Sequence, residues 1–147
     1  MPPVRYDTAW RDRWCGLAVL LPCLALLLVA AGLTPNPQGY GTHTQLNLEP
    51  CGFEVAYALP CATCGMTTAF ALAADGRLIA SFVVQPAGMV LAILTAMGVW
   101  LGAWALIRGL PITKLLVGLW RPRVIVGFIA LILLAWMYTA TRRVWLG

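Results

Sequence analysis

CGLAVLLPCLALLLVAAGL, residues 15–33, decides the fold class. Nineteen residues pass without an acid, a base or a histidine, and a helix needs about 17–25 such residues to cross a bilayer. The composition points the same way. Of 147 residues, 61% are hydrophobic and 10% are charged, whereas a soluble domain carries about 25% charged residues. A chain of this kind cannot cover itself with polar surface in water, so its solvent is a membrane.

Two further runs qualify as spans. PAGMVLAILTAMGVWLGAWALI covers residues 86–107 and VIVGFIALILLAWMYTA covers residues 124–140. All three runs are apolar around the whole helix, as lipid contact requires. Pro22 interrupts the first, which neighbouring helices can accommodate. Val29-Ala30-Ala31 resembles a signal-peptidase site, but the apolar run before it exceeds the 7–15 residues of a signal core, so it reads as a span. Lys, Arg, His, Asp and Glu are missing from all three runs. That pattern argues against a proton relay or an ion-coupled transporter.

Orientation follows from the basic residues. Arg5, Arg11 and Arg13 precede the first span, and Arg108, Lys114, Arg121 and Arg123 lie between the second and third. The long first connection holds Arg77, and the C-terminal tail holds Arg142 and Arg143. Seven against three predicts a cytoplasmic N-terminus in the cell inner membrane. Trp10, Trp14, Trp104 and Trp120 would then mark the inner interface, and Trp136, Tyr138 and Trp145 the outer one. The net charge of +5 is scattered at the ends of apolar runs, with no basic stripe. Nucleic acid is therefore not an expected partner, and the lipid bilayer is.

Between spans one and two the chain changes character. TPNPQGYGTHTQLNLEP, residues 34–50, is rich in turn formers and reads as an irregular external loop. Residues 51–65 form a cysteine-bearing turn. A helix is expected from an N-cap at Thr67, with Phe70, Leu72 and Ala73 on its buried side. Asp75-Gly76 breaks it. A second short helix carries Leu78, Ile79, Phe82 and Val83 as a stripe at helical spacing. Pro86 then opens the second span at a first-turn position. The expected fold is an all-α integral membrane protein forming a single membrane domain over residues 1–147. It has three transmembrane helices, an extracytoplasmic cysteine cap at about 43–85, and two short interfacial helices between spans one and two.

The cap holds the candidate site. Cys51, Cys61 and Cys64 have the spacing Cys-x9-Cys-x2-Cys, and three chemistries stand open for them. A metal such as zinc could take the three thiolates, with the single histidine, His43, as a fourth ligand. A disulfide from Cys51 to Cys61 or Cys64 would tie the loop down in an oxidising compartment. Cys61-x-x-Cys64 at a helix start also has the form of a catalytic dithiol, with Cys61 attacking and Cys64 resolving. A membrane thiol oxidoreductase normally has a second dithiol or a quinone beside it, and no second outer pair is present. The structural readings therefore stand first. Cys15 and Cys23, within the first span, read as small hydrophobes. Gly98-x-x-x-Gly102 permits close helix approach, either within the chain or against another membrane subunit.

Cys51, Pro60-Cys61-x-x-Cys64-Gly65-Met66-Thr67, two short helices and the span opening at Pro86 together resemble a family of small bacterial membrane proteins. That family is catalogued as domain of unknown function number 2752. The resemblance covers about residues 51–107. Its signature reads roughly Cys…Pro-Cys-Pro-x-Cys-Gly-x-Thr-Arg and later Asn-Pro, whereas this chain has Ala62, Thr68 and Gln85 at the proline, arginine and asparagine places. The resemblance implies a membrane location and a helical fold and brings no activity with it. The reading that results is a non-enzymatic accessory or structural membrane subunit whose cysteines organise the cap. The alternatives are a thiol–disulfide oxidoreductase and a subunit of a larger membrane complex.

Overall fold

The computed structural model describes residues 6–49, 51–57, 60–109 and 111–146. Arg5, counted above among the inner charges, lies outside them. Seven α-helices are described: α1 (Tyr6–Ala31), α2 (Gly52–Tyr57), α3 (Met66–Ala74), α4 (Leu78–Val84), α5 (Pro86–Arg108), α6 (Ile112–Leu119) and α7 (Pro122–Leu146). Three of them, over Trp10–Ala31, Pro86–Arg108 and Pro122–Arg143, are long and apolar enough to cross a membrane. This is an all-helical membrane protein with three such helices, as the apolar runs predict.

Each span is longer than its apolar core. α1 begins well before Cys15 and carries Asp12, which is buried at 5% exposure. α7 continues past Ala140, so Arg142 and Arg143 stand on its last turns rather than in a tail. Helices end where caps or prolines end them, not where hydrophobicity does.

α1 and α5 pack along each other through small residues. A Cβ on Gly102 would meet the Gly16 carbonyl oxygen at 2.9 Å and the Leu20 nitrogen at 2.9 Å. A Cβ on Gly98 would meet Cys23 Sγ at 2.9 Å. The Gly-x-x-x-Gly pair is thus occupied by packing within the chain. Cys23 behaves as a small hydrophobe filling the notch at Gly98.

α3 sits across the ends of these two spans, and Phe70 packs with Ala30 of α1 and Ala92 of α5. Phe70 and Leu72 are buried as predicted, with Ala73 partly so. The helix starts two residues earlier than expected. Its N-cap is Gly65 at φ +84°, with no side-chain cap, in place of Thr67. Gly76, at φ +76°, carries the break that Asp75-Gly76 predicts. α4 then buries Ser81 and turns Leu78, Ile79, Phe82 and Val83 outward. That outward stripe is what an apolar medium would accept. What needs shelter here is the polar side chain: Ser81 donates to the Ala69 carbonyl at 2.7 Å, entirely buried.

The connection from 34 to 49 is irregular yet pinned. The Gln45 carboxamide bonds the backbone of Thr34 in both directions, at 3.0 and 2.7 Å. Thr42 Oγ1 takes the Asn36 N–H at 3.1 Å and lies 2.8 Å from Thr68 Oγ1, both threonines being buried. A 3-10 turn over Thr42–Leu46 and the short α2 both escape the sequence reading. So does α6, which follows Pro111 and puts Ile112 inward.

Candidate functional site

The cysteine turn is built by local backbone bonds. The Cys64 N–H reaches the Cys61 carbonyl at 3.0 Å, and Met66 N–H reaches that of Thr63 at 3.0 Å. Gly65 follows in the left-handed region, where a side chain is strained. A Cβ there would also stand 2.8 Å from the Gly39 carbonyl oxygen. The Cys-Gly step is therefore what lets the 34–49 connection close over the turn.

Cys51, Cys61 and Cys64 come together on one pocket of about 270 Å³, whose wall also includes His43. Cys61 is the hub. Burial pushes its thiol up, but the Thr63 hydroxyl, the Cys51 thiol, the Thr63 backbone and the Cys64 thiol all bond its sulfur. The net result lies below the ordinary cysteine value, because hydrogen bonds to the charged form favour it. Thr63 Oγ1 lies 3.3 Å from Cys61 Sγ. All five cysteines are free thiols in the structure. His43 Nε2 lies 3.2 Å from the Glu49 carbonyl oxygen. No group of three or more His, Cys, Asp or Glu side chains has metal-holding spacing among the described residues.

The third span reaches this turn through polar contacts. Arg143 Nη2 donates to Cys64 Sγ at 3.3 Å, and its guanidinium lies 3.7 Å over the Tyr40 ring. Trp136 Nε1 donates to the buried Pro60 carbonyl at 2.9 Å. Tyr138 and Arg142 both donate to the Val83 carbonyl. From beneath, Gln85 Nε2 donates to the Ala62 carbonyl at 3.0 Å, while its fully buried Oε1 has no hydrogen-bond partner among the described residues. Gln85 and Arg143 were not predicted as site residues. Gln85 had a signal, an amide placed between a greasy helix and Pro86. Arg143 had only its charge, which topology had already explained.

Residues 51–100 match the model of the family described as "Protein of unknown function (DUF2752)". The segment matched is the one that carries the cysteine turn, α3, α4 and the first part of α5. No curated protein and no solved structure matches the chain.

Proposed function

We propose that this DUF2752-matching chain is a non-enzymatic membrane subunit whose cap is held shut by a Cys51–Cys61 disulfide on the extracytoplasmic side. The observation that carries the proposal is that Cys51, Cys61 and Cys64 line one pocket. A disulfide needs only two of these sulfurs, whereas a metal would need three or four in a shared geometry. Closing the bond converts two thiols to a disulfide and reduces a disulfide of a protein oxidant to its dithiol. Cys64 is left as the third thiol beside Arg143. The charge asymmetry of seven basic residues against three supports the orientation. The turn that would be stapled also receives Trp136, Arg143 and Gln85, so its closure fixes how the cap holds the third span.

The test is a count of thiols before and after reduction, with peptide mapping and elemental analysis of the purified protein. Three reactive thiols rising to five, with a linked Cys51–Cys61 peptide, is the expected result. Five free thiols with one equivalent of zinc would replace the disulfide by a metal and bring His43 into question as its fourth ligand. A membrane-impermeant maleimide, applied to intact reduced cells, should label the cap cysteines. Labelling only after lysis would invert the topology.

The lowered Cys61 value favours one second reading, a thiol oxidoreductase in which Cys61 attacks a substrate disulfide and Cys64 resolves it. The substrate leaves as a dithiol and the Cys61–Cys64 pair becomes the disulfide. A Cys64→Ala variant should then accumulate a mixed disulfide on Cys61. Failure to accumulate one under thiol trapping removes this reading.

A further inference from the structure

Beside the thiol pocket lies a larger one of about 410 Å³, lined in part by Gln38, Tyr40, Cys64, Thr139, Arg142 and Arg143. The sulfur cluster uses only its Cys64 edge. Two guanidiniums face this space, and among the described residues no carboxylate lines it. Both are fixed in place: Arg143 by the Tyr40 ring and the Cys64 sulfur, Arg142 by the Val83 carbonyl. A guanidinium carries five N–H donors in a rigid fork suited to phosphate oxygens. The opposite wall is equally fixed. The Asn36 side chain accepts the Gln38 N–H at 2.9 Å, and the Asn36 carbonyl accepts the Gly39 N–H at 2.9 Å.

The depth of the pocket identifies what reaches it. The candidate span of α7, Pro122–Arg143, is 22 residues long and ends at Arg143. At about 1.5 Å per residue it spans about 33 Å, close to the thickness of a bilayer core of about 30 Å. Arg142 and Arg143 therefore stand at the level of lipid phosphates, whichever way the chain is threaded. Trp136 and Tyr138, about a turn or two before them, lie where interfacial aromatics belong.

We infer that the pocket between the Gln38–Gly41 turn and the end of α7 binds a phosphate anion through Arg142 and Arg143. That chemistry is offered by an anionic phospholipid headgroup and by free phosphate. The inference does not depend on the state of the cysteines. The full chain in nanodiscs of equal phosphatidylglycerol and phosphatidylcholine is released for native mass spectrometry, and inorganic phosphate is titrated calorimetrically in parallel. Selective retention of phosphatidylglycerol assigns the site to lipid, and a phosphate isotherm without lipid selectivity assigns it to the free anion. In either arm Arg142→Gln and Arg143→Gln should weaken binding about tenfold, the scale of one charge-assisted hydrogen bond. Arg123→Gln, remote from the pocket, should change nothing. Because Arg143 also holds Cys64, Gln38→Glu serves as the variant that leaves these contacts intact. It sets a carboxylate on the exposed rim and should weaken binding comparably. Absence of both lipid selectivity and a phosphate isotherm in the wild type overturns the inference, as does binding that Gln38→Glu leaves unchanged.

Discussion

Gly102→Ala is the sharpest test of how α1 and α5 are held. The added carbon would stand 2.9 Å from the Gly16 oxygen and the Leu20 nitrogen and 3.0 Å from Leu20 Cα, where ordinary contact begins at 3.4 Å. All three obstacles are backbone, so no rotamer can yield and the helices must part by about 0.5 Å. A gap of 0.5–1 Å forfeits about a quarter to a half of each dispersion contact along the seam. Overpacking of this kind costs about 1–3 kcal/mol, against which alanine recovers up to about 1 kcal/mol of helix propensity. The net expectation is a loss of about 1–2 kcal/mol, read from reversible unfolding in mixed micelles. Gly98→Ala provides the control. Its added carbon would meet Cys23 Sγ at 2.9 Å, a side chain that can be shortened. Gly98→Ala should therefore be the milder change, and adding Cys23→Ala should recover its loss. A neutral Gly102→Ala, or a Gly98→Ala defect that Cys23→Ala leaves in place, would refute the glycine-mediated contact.

Further outcomes follow from the cap. In the reduced protein Cys61 should alkylate with a midpoint below that of an ordinary cysteine, since a lowered value means more thiolate at any given pH; Thr63→Val should move the midpoint up, as followed by iodoacetamide rates against pH. Trp136→Phe leaves the buried Pro60 carbonyl without its donor and should cost about 1–3 kcal/mol in the same unfolding assay. Thr68→Val removes the partner of the buried Thr42 hydroxyl, with a similar loss of about 1–3 kcal/mol.

Hydrophobicity made the three spans legible, and helix punctuation made the cap partly so. Gln85-Pro86 and Asp75-Gly76 end and begin helices where their backbone preferences require. The same hydrophobicity hid the inside of the cap. In water an apolar stripe points inward, but Leu78, Ile79, Phe82 and Val83 point outward because lipid accepts them. Beside Ala69, Phe70, Ala71 and Leu72, the inward positions hold Thr42, Thr68, Ser81 and Gln85, polar residues for which hydrocarbon offers no partner. In such a chain the polar residue near the bilayer is the better marker of the interior. The cysteine triad was visible from spacing alone. Its link to Arg143 was not, because 79 residues separate Cys64 from it and positive charge near a span already had an explanation in topology.

Two different forces therefore hold the three spans. α1 and α5 adhere along their length through Gly16, Gly98 and Gly102, a close backbone contact that is indifferent to the state of the cap. α7 exposes Ile125, Val126, Ile129, Leu133, Leu134 and Met137, and buries only Ala135 and Thr139 among its described side chains. Its hold on the rest runs through hydrogen bonds to Pro60, Val83 and Cys64 at one end. Each of those acceptors belongs to the cysteine turn or to the end of α4, so disturbing the turn should free α7 while leaving α1 on α5. A Cys51→Ser/Cys61→Ser/Cys64→Ser variant makes the distinction measurable. Cysteine pairs engineered across α5–α7 should lose cross-linking in it, while pairs across α1–α5 should keep theirs. Equal loss at both seams would mean that the cap holds the whole bundle, and equal retention would mean that the sulfur cluster does not organise the third span.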